Sequence, residues 1–307
     1  MYTDIAGKKW YKGNLHTHTN RSDGSFSPEA IIALYRENGY DFLSLTDHWV
    51  RWDELREEEG FVLLPGCEYG AYTMADFNGI TREVIYHITG IGFESAPALE
   101  GVADVNENEP PQKIIDEIHK AGGLAFLAHP AWSMNTINDI WALKDLDGME
   151  IYNSGAGVMG EFTADSGYLA DELLCAGRCL PLIAADDTHS CFGEEFGSFI
   201  MVQADELNRN GLMEAMRKGR FYASQKPRVD AGVCKGGIWV RCDPCREIKL
   251  HTNYWSTRRS VSGHDMRGWN FPIPPEGIGC FRIEITDMEG NRAWTSPRAI
   301  RADGKGM

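Results

Sequence analysis

Two histidines separated by a single residue are the first groups in this chain suited to chemistry. They lie in Asn14-Leu15-His16-Thr17-His18-Thr19-Asn20-Arg21-Ser22-Asp23-Gly24. In extended backbone, side chains alternate, so His16 and His18 point one way while Leu15 and Thr17 point the other. Two neutral imidazoles on one side suit one zinc, manganese or iron ion. Asp23 follows in a polar loop ending at Gly24, where the backbone can turn and bring a carboxylate back toward the same ion. A lone His-x-His pair is weak evidence, but residues of the same kind recur downstream, each after a short apolar run. Asp47 and His48 follow Tyr40 to Thr46, Glu68 follows Phe61 to Cys67, and His87 follows Glu83 to Tyr86. His129 follows Leu124 to Ala128, and Asp187-Thr188-His189 closes the run from Leu180.

The elements that must carry these residues alternate between strand and helix. Ser27-Pro28-Glu29 reads as an N-cap, a first-turn proline and an acid placed for the helix dipole. Ile31, Ile32, Leu34 and Tyr35 form the apolar stripe, which stops before Gly39. Residues 40–46 then read as a strand, completing a strand, loop, helix, strand unit. A second helix is expected from Pro110 or Pro111 to Gly122, and a third near Tyr168 to Ala176. Residues 93–109 read as an acidic loop. Gly148-Met149-Glu150-Ile151-Tyr152 reads as a strand ending at Asn153. Candidate ligands at strand ends match (β/α) barrels, whose active sites lie where the following loops converge. If Asp186 to His189 stays extended, Asp187 and His189 share one face and Asp186 the other, which selects Asp187 as the ligand.

From about Arg228 the helical period is lost, and alternating runs such as residues 238–242, 247–250 and 281–285 read as a small antiparallel β domain. Its His251 and His264, and His119 on the second helix, have no companion acids at metal-like spacing and are read as structural or exposed. Arg51, just past His48, and Arg21, in the first loop, are the cations placed to hold an anionic substrate, with solvated loop arginines as the alternative. Asn153 either bonds a substrate oxygen or caps its strand end.

The ordered series resembles the PHP family, the polymerase and histidinol phosphatase metal-dependent phosphoesterases. His16-x-His18 with Ser22-Asp23-Gly24 looks like its first motif, Thr46-Asp47-His48 its second, His129-Pro130 its third and Asp187-x-His189 its fourth. Glu68 and His87 fall where the family places a bridging acid and a further ligand. The resemblance covers roughly residues 10–225, and the remainder is similar to the extension of a subgroup that includes carbamate and aryl-ester hydrolases. It implies the α/β class, with a distorted (β/α)7 TIM-like barrel over residues 1–227 and an accessory, sandwich-like antiparallel β domain over 228–307. It implies two or three divalent ions, manganese, zinc or iron. His16, His18, Glu68 and Asp187 would hold one, Glu68, His87 and His129 a second, and Asp23, His48 and His189 a third. Glu68, Asp187 and His189 would stand at the reacting centre, with hydroxide attacking phosphorus in line. The implied activity is hydrolysis of a small phosphomonoester or phosphodiester. The alternatives are carboxylic ester or carbamate hydrolysis, and a metal-stabilised scaffold without activity.

Composition bounds these readings. The chain has 307 residues, enough for one large α/β domain and a companion. Its formal net charge of -15 disfavours extended nucleic acid and anionic membranes as partners, and the partner the resemblance implies is a small-molecule phosphate ester. Eight irregularly spaced cysteines suit a reduced protein, Cys242-x-x-Cys245 included. With a polar stretch before Asn14 and no apolar run of membrane-spanning length, the expectation is a cytoplasmic protein. Oligomeric state is left open.

Overall fold

The structure is a computed structural model that describes residues 1–4, 7–101, 109–160, 163–273 and 279–300. Four of the described helices start at a capping side chain, Ser27, Thr136, Asn153 or Asn208. The Ser27 side chain accepts from the Ala30 amide, and the helix Pro28–Glu37 buries Ile31 and Tyr35. The helix Pro111–Lys120 buries Ile114, Ile115 and Ile118, each such side chain stabilising by roughly 1.5–3 kcal/mol. Gly167–Cys175 is the third expected helix. Short helices Ile137–Ala142 and Ser154–Met159, and the helix Arg209–Arg217, add to these.

Among the described residues the strands hydrogen-bond as two sheets of 13 and 5 strands. In the larger, Lys9–Asn14, Phe42–Ser44 and Phe61–Leu64 run parallel. In the smaller, Leu124–Leu127, Gly148–Asn153 and Leu182–Ala185 run parallel. Phe61–Leu64, Leu124–Leu127 and Leu182–Ala185 are covered on both faces, which explains their continuous apolar runs. The ladder of the expected barrel is interrupted by a long hairpin, Gly66–Phe77 against Ile80–Ile91, which pairs antiparallel with Leu124–Leu127. Its turn is Asn78-Gly79, both with positive φ (53° and 80°), the two-residue geometry that keeps the right-handed twist of the flanking strands.

Past the last laddered residues, the chain continues to pair. Thr17 bridges Thr188, and His48 bridges Glu68, each in parallel. The His18 amide donates to the Thr188 carbonyl at 2.9 Å, Thr46 to Thr17 at 2.8 Å, and Asp187 to His16 at 3.0 Å. The two sheets are therefore tied together at the ends where the candidate ligands sit.

The C-terminal stretch is antiparallel, as expected, but the runs 238–242 and 247–250 belong to a single strand, Gly237–Thr252. Its register breaks around Cys245, where Pro244 supplies no amide to the ladder and the strand bulges. The sheet also crosses the boundary at 227/228. Phe221–Ser224 pairs with Arg292–Thr295, and on its other side with Phe199–Gln203. One apolar cluster runs from Ile31 and Leu43 through Met201 and Tyr222 to Ile248 and Ile285, so the two parts share a core.

Candidate metal centre

The first loop reaches the centre because two residues shape it. Asp47 accepts from the Thr19 amide and hydroxyl at 2.8 Å each and from the Ser22 hydroxyl at 2.8 Å, which folds residues 19–22 over the strand end. Gly24 then packs against the His18 carbonyl, where a Cβ would fall 2.8 Å from the oxygen. His16 and His18 consequently project together, both fully buried.

Glu68 lies at the middle of the cluster. Its Oε2 is 3.2 Å from Nε2 of His16 and of His18, and 3.1 Å from His48 Nδ1. Its Oε1 is 3.0 Å from His87 Nδ1 and 3.3 Å from His129 Nε2. Asp187 Oδ1 is 3.0 Å from Nε2 of both His16 and His18. Asp23 Oδ2 is 3.2 Å from His189 Nε2 and 3.6 Å from His48 Nε2. All nine expected ligands thus converge. Their donor atoms form three groups: His16, His18, Glu68 and Asp187; His48, Glu68 and His87; and His18, Asp23, His48 and His189. The first is the set the resemblance implied. In the second His48 stands where His129 was expected, and in the third His18 joins.

The segment from Asp186 to His189 is not extended. Asp187 has φ +51°, a left-handed conformation that aspartate tolerates better than most residues, so strand parity does not describe it. Asp187 nonetheless reaches the cluster and Asp186 does not. Asp186 accepts from the Asn14 amide (2.6 Å), the Tyr35 hydroxyl (2.8 Å) and the backbone amides of Phe196 and Ser198. Burial raises its pKa to about 6 despite these donors.

Hydrogen bonds fix two of the rings. His16 Nδ1 lies 2.8 Å from Glu150 Oε1, an acceptor only, so Nδ1 carries the proton and the Nε2 lone pair points at Glu68 and Asp187. His189 Nδ1 lies 3.0 Å from the Asp187 carbonyl, which aims its Nε2 lone pair at Asp23 in the same way. A lone pair facing a carboxylate is repulsive unless positive charge lies between them. In keeping with this, His16 Nε2, both nitrogens of His18, Glu68 Oε2 and His87 Nδ1 are buried without a hydrogen-bond partner. Burial works against protonating His16, but Asp187, Glu68 and Glu150 outweigh it and hold its pKa well above the imidazole range. The chemistry of this donor set fits divalent cations, which would take the place of those protons.

Glu150 was not anticipated as functional. It also accepts from the His129 amide and the Asn153 amide group, at 2.8 Å each. A carboxylate inside a strand buried on both faces was the signal available in the sequence. Asn153 is fully buried. Its amide group also lies 3.1 Å from Asp187 Oδ2, and its oxygen caps the helix Ser154–Met159 through the Ala156 amide. It therefore acts as the cap and as a holder of Asp187. Arg21 lies over the Trp52 ring and Arg51 pairs with Asp53 at 3.3 Å.

A cavity of about 380 Å³ opens above the cluster, at the small end of ligand pockets. Seven of the nine residues line it, with Tyr72, Ile85, Trp132, Phe192 and Glu194 among the walls. Among the described residues lining it there is no lysine or arginine, so Arg21 and Arg51 stand outside it.

No family model matches the sequence, and no curated protein matches it. Solved structures do. A two-domain protein containing a predicted PHP-like metal-dependent phosphoesterase, from Bacteroides vulgatus ATCC 8482, matches with TM-score 0.51 and 17% identity, over 94% of this chain and 93% of its own. A candidate metal-dependent phosphoesterase from Bifidobacterium adolescentis ATCC 15703 (17% identity, TM-score 0.41) and an amidohydrolase from Chromobacterium violaceum (16%, 0.40) each match 58% of this chain and 87% of their own. Along nearly its whole length, the chain has the fold of the PHP-like two-domain protein.

Proposed function

We propose that this protein is a metal-dependent hydrolase that cleaves a small phosphomonoester or phosphodiester. The observation that carries this reading is the set of buried nitrogen and oxygen atoms aimed at one another without hydrogen bonds around Glu68. His16, His18, Glu68 and Asp187 would hold one ion, Glu68 and His87 with His48 or His129 a second, and Asp23, His48 and His189 with His18 a third. When bound, divalent manganese, zinc or iron supplies Lewis acidity, which lowers the pKa of water and offsets charge developing on the substrate. The chain's own part is to hold geometry. Glu150 keeps His16 in one tautomer, Asn153 holds Asp187, and the His189 ring is steered by the Asp187 carbonyl. We read the strands of the two tied sheets that lie within residues 1–227 as a distorted (β/α)7 barrel, with 228–307 accessory to it.

A second reading, hydrolysis of a carboxylic ester or carbamate at the same centre, is favoured by the cavity lining without lysine or arginine. Elemental analysis of reconstituted protein should find at least two divalent ions per chain, and chelation should abolish turnover. A panel of phosphate, ester and carbamate substrates then separates the two readings. Well under one ion per chain would overturn both.

A further inference from the structure

The inner face of the long hairpin changes character from floor to rim. Residues opposite one another in an antiparallel pair share a face, and every second residue returns to it. Glu68 therefore starts a face that continues with Gly70 opposite His87, and then Tyr72 opposite Ile85. Ligands at the bottom give way to an apolar pair. The Trp132 ring extends this wall, edge-on to His129 with centroids 4.9 Å apart. Phe192 stands at the mouth, 64% exposed, the kind of large apolar surface that a ligand covers with profit.

Charge in the walls points the same way. Glu194 is buried, and accepts from the backbone amides of His189 (2.6 Å), Cys191 (3.3 Å) and Phe192 (2.9 Å), which stiffens the loop carrying Phe192. It also leaves a negative group beside the cavity, with no lysine or arginine among the described lining residues to offset it. A substrate with a second anionic group would meet that carboxylate and the apolar walls together.

We propose that the cavity takes the ester of an uncharged apolar alcohol, seated against Tyr72, Ile85, Trp132 and Phe192, with any charge on the substrate confined to the group that is cleaved. This rests on the hydrolase reading for its reacting end, but the apolar subsite is testable by binding alone.

The test uses the metal-loaded full-length protein and three phosphonates that share one anchoring group: phenylphosphonate, methylphosphonate and 3-phosphonopropionate. Calorimetry should find phenylphosphonate bound about tenfold to a hundredfold more tightly than either of the others. Phe192→Ala should shrink that preference by at least about threefold, because the removed ring is exposed and its loss does not threaten the fold. Trp255→Ala, at an exposed aromatic outside the cavity, should leave the preference intact. Equal affinities, no binding of any of the three, or tighter binding of 3-phosphonopropionate would overturn the apolar subsite. A preference that Phe192→Ala leaves unchanged would also overturn it. The phenyl preference without turnover of any phosphate, carboxylic or carbamic ester would support the subsite and overturn the hydrolase reading.

Discussion

Glu68 and Asp171 are both carboxylates approached by histidine, yet their surroundings follow opposite plans. Asp171, on the helix Gly167–Cys175, meets His251 Nδ1 at 2.9 Å, Arg282 at 2.6 and 3.0 Å, and Arg258. Glu284 beside it faces Lys249 at 3.2 Å and accepts from the Trp294 indole at 3.1 Å. Guanidinium and ammonium groups neutralise that cluster. His251 Nε2 and one Arg282 nitrogen lack a hydrogen bond, but Glu284 lies 3.8 and 3.6 Å from them. Around Glu68 no lysine or arginine forms an ion pair with Glu68, Asp187 or Asp23 among the described residues; those carboxylates face six imidazoles. The difference teaches how to tell a structural ion network from a metal centre. Where permanent cations are built in, the network is complete; where only imidazoles are supplied, positive charge has to come from outside.

The comparison is broken most directly at Asp187. Asp187→Asn preserves shape while removing an anionic ligand. Turnover should fall roughly a thousandfold or more, beyond the ten- to hundredfold range of changes behind the ligands, with metal content falling by elemental analysis. A loss within tenfold would mean the cluster does not depend on its carboxylates.

Asp171→Asn should act on the other side of the comparison. It leaves Arg282, 1% exposed, without the carboxylate it meets at 2.6 Å and with only Glu284 at 3.6 Å, and should cost about 3 kcal/mol in urea unfolding while metal content stays unchanged. Burial opposes ionisation of Asp171, but His251 and Arg282 outweigh it and depress its pKa. A depressed carboxylate contributes stability that is full above its unfolded pKa and is lost as pH falls through the folded value. Acid unfolding of the variant should therefore be shallower than that of the parent.

Glu150→Gln sharpens the picture without removing a ligand. It disturbs the tautomer of His16 and should weaken metal affinity or turnover ten- to a hundredfold, read by metal titration at constant unfolding free energy. The smallest effect belongs to His119, whose pKa is raised by its 2.8 Å hydrogen bond to Asp147. That stabilisation is full below the ordinary imidazole pKa and fades as pH rises through the raised value. His119→Gln should flatten this slope by under about 1 kcal/mol, since the pair is partly screened by solvent.

Much of the centre was legible because ligands must be histidine or acid and must lie at strand ends. The order from His16 to His189, and helices such as Pro28–Glu37 with its Ser27 cap, followed from local chemistry. The hairpin turn at Asn78-Gly79 carried a local signal and was missed. Other features had no local signature. The left-handed turn at Asp187 depends on its amide reaching His16, far away in sequence. The cavity walls join the hairpin to loops after other strands, and Arg21, outside the cavity, lies over the Trp52 ring. Such features are set by tertiary packing, which residue type and spacing do not encode.

The strand Phe221–Ser224, fully buried and hydrogen-bonded on both sides, has a temporal consequence. One neighbour, Phe199–Gln203, precedes it closely, but the other, Arg292–Thr295, is synthesised well after it. Until then the nascent chain presents an apolar edge open to pairing with other chains, and the closing contact is of high sequence separation and therefore slow. Every residue around Glu68 has by then been synthesised, but the sheet behind it is completed only once Arg292–Thr295 arrives.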